Sequence, residues 1–273
     1  MTQKGRLLWV VLLIVLWLLC TGAAQAGALT NRLERFPHWH HKPTVETADG
    51  DLVYPAWFEG DWTVTTTLVD LSAPLAPSLI TPGFATNQTY LNQPITFNAR
   101  FVQEPMQKRR NSPFLLRAYR KNRAQPIVAD RAFNGLNLTQ AYLRQSLGDQ
   151  GDRLVVSVDT DPDNPNRQLT RMRGDRQVIS TVTGRWVEPA SADRFVATEM
   201  VQQRFQGIPQ PYFNDVETTT AYQHHPNEVP EIVADQVTAI YLSPQDPDYF
   251  KANGHPVALY RYRLEFYPSR PKL

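Results

Sequence analysis

A chain of 273 residues that is 42% hydrophobic is long enough to bury a substantial core without staples and fits one large domain. Its formal net charge of +2 vanishes once Lys4 and Arg6 are removed with residues 1–26, so no basic footprint for nucleic acid remains. The single cysteine, Cys20, leaves with that segment, which excludes disulfides, thiolate nucleophiles and cysteine-ligated metals from the remaining chain.

Residues 1–26 read as a secretory signal peptide. Lys4 and Arg6 precede an apolar run over 7–20, and Ala24-Gln25-Ala26 supplies small residues for cleavage after Ala26. The run is short for a membrane span, so cleavage is expected over an uncleaved anchor. Leu19 stands before Cys20 where lipidation needs a small residue. Residues 27–53 form a polar, partly irregular lead containing Phe36-Pro37-His38-Trp39-His40-His41. A β-barrel domain is expected over 54–268, with a tail over 269–273.

The domain opens on Tyr54-Pro55-Ala56-Trp57-Phe58-Glu59-Gly60-Asp61-Trp62, which turns into an alternating strand over 62–70. Trp62, Val64, Thr66 and Leu68 fall on one side, and Thr63, Thr65, Thr67 and Val69 on the other. Residues 71–94 carry prolines that exclude a central strand, while Leu75, Leu79, Ile80 and Phe84 give the segment something to pack with. A connection of this length is a candidate lid. Further strands are expected over 95–103 and, after the basic turn Lys108-Arg109-Arg110, over 115–121. Residues 124–151 break the rhythm. Leu138, Tyr142 and Leu143 recur at helical spacing, Asn137-Leu138-Thr139-Gln140 offers a capping start, and Gly148 and Gly151 end the helix. Strands over 153–159, 168–173, 177–187, 194–205, 212–222, 232–242 and 257–267 complete about ten. Asp161 to Asn166 is a turn by composition, and Gly174-Asp175 signals a hairpin. The fold class is therefore mainly β, an antiparallel barrel of about 8–10 strands with one helix and a long lid loop.

Phe58-x-Gly60-x-Trp62 at the mouth of a first strand, followed by a covering loop, resembles the opening of a lipocalin or related calycin barrel. That resemblance implies a tryptophan plugging the closed end and a basic side chain from the last strand lying against it, for which Arg261 is the choice over Arg263. Thr63 replaces the usual aromatic residue after the tryptophan, the helix falls earlier than in lipocalins, and the strand count exceeds eight. More closely, Tyr54-Pro55-x-Trp57-Phe58-x-Gly60-x-Trp62 and Leu71-x-Ala73-Pro74-Leu75-Ala76-Pro77 resemble an uncharacterised exported family of cyanobacteria and chloroplasts. That implies a periplasmic or thylakoid-lumen location and carries no activity with it.

The histidines cluster at His38, His40 and His41 and at His224 and His225, with His255 alone. Imidazoles suit zinc, copper or nickel, but no H-E-x-x-H pattern accompanies them, so solvated histidines are expected and no metal or other cofactor. A G-x-S-x-G elbow, a Walker loop and G-x-G-x-x-G are all absent. Glu199 shares one side of its strand with Phe195, Ala197, Val201, Gln203 and Phe205. A carboxylate there needs a partner, and Arg100, Arg117 or Arg263 would serve. Alternatively, it orients the polar end of a ligand, because pockets combine apolar walls with a few convergent polar groups. The expectation is an exported protein that binds a small amphipathic or hydrophobic ligand (a lipid, quinone or pigment) through Arg100, Arg117, Tyr119, Glu199, Gln203 and Tyr262. The alternatives are an accessory or assembly factor of a photosynthetic membrane complex, and an enzyme using Glu199 as acid or base.

Overall fold

The computed structural model describes residues 27–104, 125–189, 191–209 and 212–269. Its strands are β1 (Glu46–Thr47), β2 (Gly60–Ser72), β3 (Pro94–Gln103), β4 (Ile127–Ala129), β5 (Val155–Thr160), β6 (Arg167–Met172), β7 (Gln177–Val187), β8 (Arg194–Gln206), β9 (Tyr212–His224), β10 (Ile232–Leu242) and β11 (Ala258–Pro268). The helices are α1 (Ala28–Glu34), α2 (Phe84–Gln88), α3 (Arg131–Leu147) and α4 (Tyr249–Ala252). Ten strands form one curled antiparallel sheet in the order β4-β3-β2-β11-β10-β9-β8-β7-β6-β5, with β1 added to β7. The mainly β architecture expected is present, as one large antiparallel sheet curled into a half-barrel. The strand expected over 115–121 lies outside the described residues.

Period-2 alternation decides which side chains face inward. On β10, Ile232 and Ala234 join the inner core with Trp62, Val64, Phe101, Phe195, Leu264 and Phe266. Val237, Ala239 and Tyr241 of the same strand instead meet Leu33 and Trp39 of the N-terminal segment on the outer surface. Both faces of the central strands are therefore covered, which explains their nearly continuous apolar runs. Residues 27–45 form a strap: α1, Phe36 and the buried Trp39 pack across β8, β10 and β11. An irregular polar lead was expected there, and only the spacing of Leu29 and Leu33, both buried, marked the helix.

Curling alone does not close the sheet. Among the described residues its edges, β4 and β5, are not paired with each other. Two elements span the gap instead. The segment after β1 leaves β7, buries Leu52, and bridges to the opposite edge through Tyr54 N–H, which donates to the Ile127 carbonyl at 2.8 Å. Helix α3 fills the rest, lying against β3 on one side and β5 and β6 on the other. It starts at Arg131, six residues before the expected start at Asn137. Asp130 is its cap, accepting from Phe133 N–H at 3.2 Å, whereas Asn137 and Thr139 bond back to the carbonyls of Phe133 and Gly135 inside the helix.

One end of the curl is plugged. Trp62 is 1% exposed, donates its indole N–H to the Phe58 carbonyl at 2.7 Å, and meets Phe266 edge to face. Tyr54, Phe58, Phe101, Phe195 and Tyr222 complete the aromatic plug. The other end carries the 73–93 connection with α2. Leu75 and Leu79 pack on Leu242, Ala252 and Val257, and Phe84 on Tyr260, so this loop is a cover anchored to the sheet. The Gly174-Asp175 turn has both residues at positive φ, the pairing a tight hairpin needs. Among the described residues no helix is long and apolar enough to cross a membrane.

Candidate functional site

Above the aromatic plug, the inner face changes character. Cross-strand pairing sets Tyr262 of β11 beside Gln236 of β10, Thr238 beside Thr218 of β9, and Thr218 beside Glu199 of β8. These side chains are only partly buried, whereas Ile232, Ala234, Phe195 and Phe266 below them are fully covered. The result is a polar belt between an aromatic floor and the cover. The Thr220 hydroxyl donates to Gln236 Oε1 at 3.3 Å, and Tyr222 is hydrogen-bonded to both Thr220 and Tyr54, linking belt to plug. Burial pushes the Tyr222 phenol up to about 12, so it stays a neutral donor.

At the α3 side, Tyr262 and Tyr142 share a hydrogen bond, and burial raises both phenols above their ordinary range. With Thr66, Asn87, Tyr90 and Gln93 they enclose a space of about 20 Å³, the size of a single water site. Asn87, Tyr90 and Gln93 come from the cover, so the cover contributes to the belt directly.

At the β7 side, Glu199 Oε1 accepts from Arg131 Nη2 at 2.9 Å, Arg185 Nη2 at 2.6 Å and Arg185 Nε at 3.0 Å. Arg131 Nε also reaches Asp51 at 3.0 Å, and Arg185 donates to the Gly50 carbonyl and to Asn166 Oδ1. Burial alone would raise the Glu199 pKa, but the two guanidinium charges and their hydrogen bonds hold it below the ordinary carboxylate value. Glu199 is thus an anion at neutral pH and a poor proton donor. The same cluster rivets the crossing segment, α3 and β7 together where the sheet fails to close.

The structure sorts the expected site residues by strand parity. Glu199 and Tyr262 face inward and stand on the belt. Gln203 lies farther along β8 toward the covered end, opposite Ser180 and Asn214. Arg100 does not join them. It alternates with the inward Ala99 and Phe101, so its guanidinium lies outside, on Asp61 at 2.8 Å and over the Phe133 ring at 4.1 Å. Arg117 and Tyr119 fall outside the described residues. Among the described residues the partners of Glu199 are Arg131 and Arg185; of the Arg100, Arg117 or Arg263 expected, Arg100 and Arg263 point outward, the latter to Glu265, and Arg117 is not among the described residues. Arg185 was legible, because it alternates with Val187 on a clear strand. Arg131 was hidden by the late helix start.

Arg261 does not lie against Trp62. It sits on the outer face, bidentate to Asp235 at 2.9 and 2.7 Å, with its guanidinium over Phe36 of the strap. The outer face has an arginine–indole pair of its own: Arg32 lies 4.0 Å from the Trp39 ring and holds Glu217, which is 0% exposed, through contacts of 2.6 and 2.8 Å. Tyr241 and Thr219 hydroxyls complete the carboxylate's shell. Beside the strap lies an open cleft of about 560 Å³ lined by Arg32, Arg35, His38, Trp39 and Lys42. Two of its cations are already committed, Arg32 to Glu217 and Lys42 to Asp215. His38, His40 and His41 are exposed, and among the described residues no three ligating side chains surround a common point.

Residues 46–270 match the family model described as Domain of unknown function (DUF6816). The chain belongs to this family. The matched region begins at β1 and takes in the whole sheet, including the belt and the riveting cluster, while α1 and Trp39 of the strap precede it. No curated protein and no solved structure matches the chain. For this DUF6816 member, the argument for function therefore rests on the site itself.

Proposed function

We propose that this chain is an exported binding protein that holds a small amphipathic or hydrophobic molecule of the lipid, quinone or pigment class on its inner face. One observation carries this reading: partly exposed polar side chains from Tyr262 to Glu199 converge above a fully buried aromatic floor, beneath an anchored cover. Apolar walls with a few convergent polar groups are what such ligands select. Glu199 is an acceptor, Gln236 and the threonines both donate and accept, and none of them needs to titrate. The depressed pKa of Glu199 speaks for binding over acid catalysis. Export to a periplasm or thylakoid lumen is supported by Lys4, Arg6, the apolar 7–20 run and Ala24-Gln25-Ala26, and the intact mass of protein purified from its source tests it.

The test of binding is titration of delipidated protein with fluorescent fatty-acid and carotenoid probes. Saturable quenching of tryptophan emission, weakened in Gln236→Leu and Thr238→Val, is expected. Quenching that never saturates would sink the reading.

A second reading has its own support. The space at Tyr142 and Tyr262 is only about 20 Å³, which suits a filled interior and an accessory factor of a photosynthetic membrane complex working through its surface. Co-purification with such a complex, together with absent probe binding, would favour it.

A further inference from the structure

The cleft beside the strap carries a one-sided set of polar groups. Its volume of about 560 Å³ is that of a small-molecule site. Ala28, Asn31, Arg32 and Arg35 recur at helical spacing and line one wall, which leaves Glu34 out of the lining. The chain then curves through His38, His40, His41 and Lys42, and the half-buried Trp186 of β7 stands in the lining with them. Among the described residues every ionisable side chain that lines the cleft is a base, and no Asp or Glu takes part.

The carboxylates that neutralise two of these bases lie behind the lining. Glu217 is fully buried and accepts from Arg32, Tyr241 and Thr219, and Asp215 takes Lys42 at 2.6 Å. Arg35 is different. It is exposed, and its guanidinium has no hydrogen-bond or ion-pair partner among the described residues. The walls around it are fixed by contacts of their own. Arg32 Nη2 donates to the His41 carbonyl at 2.6 Å, and His255 of the β10–β11 connection packs on His40 and His41 with ring centroids 5.5 and 5.6 Å away.

We infer that this cleft binds a small organic anion, a carboxylate or phosphate carried on a flat ring. Arg35 takes the anionic group, because a guanidinium forks onto two oxygens of either anion. The imidazoles of His38 and His40 add N–H donors, which an imidazole offers in either protonation state. Trp186 gives the ring an apolar plane to lie on. A cation would find no carboxylate in the lining to receive it, and an uncharged ligand would leave the guanidinium without a counter-charge. The cleft lies on the outer face, so this inference stands apart from the reading of the inner one.

Calorimetric titration of the purified chain with naphthalene-2-carboxylate and with adenosine 5′-monophosphate tests it and separates the two anions. Saturable heat is expected with at least one, weakening as salt is raised. The uncharged counterparts, 2-naphthalenemethanol and adenosine, and the ringless ones, acetate and inorganic phosphate, should bind about tenfold more weakly. Arg35→Gln should weaken binding about tenfold, and Arg35→Lys by less. Trp186→Leu should also weaken it, while Arg263→Gln, on the same outer face but away from the cleft, should leave it unchanged. Thermal melting shows that each variant is folded, and Arg35, which anchors nothing, can be replaced without lowering the melting temperature. No saturable heat with either anion would overturn the inference. So would equal affinity for the uncharged counterparts, or binding that Arg35→Gln leaves intact.

Discussion

Asn134 on α3 treats Arg100 on β3 as a neighbouring strand would. The Arg100 N–H donates to Asn134 Oδ1 at 2.7 Å, and Asn134 Nδ2 donates back to the Arg100 carbonyl at 3.0 Å. The Asp130 N–H also donates to that carbonyl at 3.0 Å. β4 is only three residues long, so a side-chain amide continues the hydrogen bonding past its end. Exposed strand edges invite pairing with other chains, and this one is covered by a helix that mimics the missing strand. Asn134→Leu should cost about 2–3 kcal/mol, because it leaves a partly buried N–H without an acceptor. Asn134→Asp keeps the acceptor and should cost less. Denaturant melts rank the three proteins, and faster hydrogen exchange at the Arg100 amide in Asn134→Leu localises the loss.

The strap makes a different kind of contact. Glu217 is fully buried on the outer face and is held by Arg32 and the Tyr241 hydroxyl. Removing Arg32 strands that carboxylate. Arg32→Met should therefore destabilise by about 3–5 kcal/mol, while Arg32→Met combined with Glu217→Gln should recover a large part of the loss. A double-mutant cycle by chemical denaturation measures the coupling. Additivity of the two single effects would show that the strap rests on apolar contacts through Leu33 and Trp39 alone.

Strand positions were legible in this sequence because period 2 survives where one face is buried and the other open, as on β2, and because a strand covered on both faces, such as β10, reads as a nearly unbroken apolar run. The 232–242 strand was read to the residue, and Trp62, Val64, Thr66 and Leu68 are all buried as the alternation indicated. Closure was not legible. It depends on α3 and the segment after β1 reaching across a gap, and neither carries a local signal for what lies beyond it. The site was half legible for the same reason. Alternation placed Glu199 inward, but choosing its partners required knowing that Arg131 begins a helix and that Arg100 has the wrong parity on β3. Arg261 does not reach the indole because adjacent Tyr262 takes the inward place, leaving the arginine to face the strap.

The Glu199 cluster predicts how the protein responds to acid. Its folded-state pKa lies below the ordinary glutamate value of about 4.3, so the unfolded chain takes up the proton first as pH falls. The stabilisation is complete above the unfolded value and is lost as pH drops through the folded one. Unfolding free energy should therefore fall more steeply as pH drops below about 5 in the natural chain than in Glu199→Gln. At neutral pH the same variant leaves Arg131 and Arg185 facing each other and should lose about 3–5 kcal/mol. Urea titrations across that range decide it, and parallel pH slopes would show that other carboxylates set the acid limb.

Two glycines separate a backbone requirement from a packing one. Gly60, before Trp62, has φ of 129°, and a Cβ there would meet nothing within 4 Å. Gly60→Ala should thus cost about 1–3 kcal/mol through backbone strain alone, and no neighbouring substitution should relieve it. Gly184, at the β7 bulge where β1 joins, is constrained by space instead: a Cβ there would run into the Val45 side chain and come within 3.3 Å of the Glu46 carbonyl. Gly184→Ala should also cost about 1–3 kcal/mol by overpacking. Val45→Ala, which is mildly destabilising on its own, should return much of that loss in the double variant and nothing when combined with Gly60→Ala. Thermal melting of the five variants measures both couplings. A Gly184–Val45 coupling of zero would mean that β1 lifts off β7 to admit the methyl group, so that this junction yields more easily than the rest of the closure.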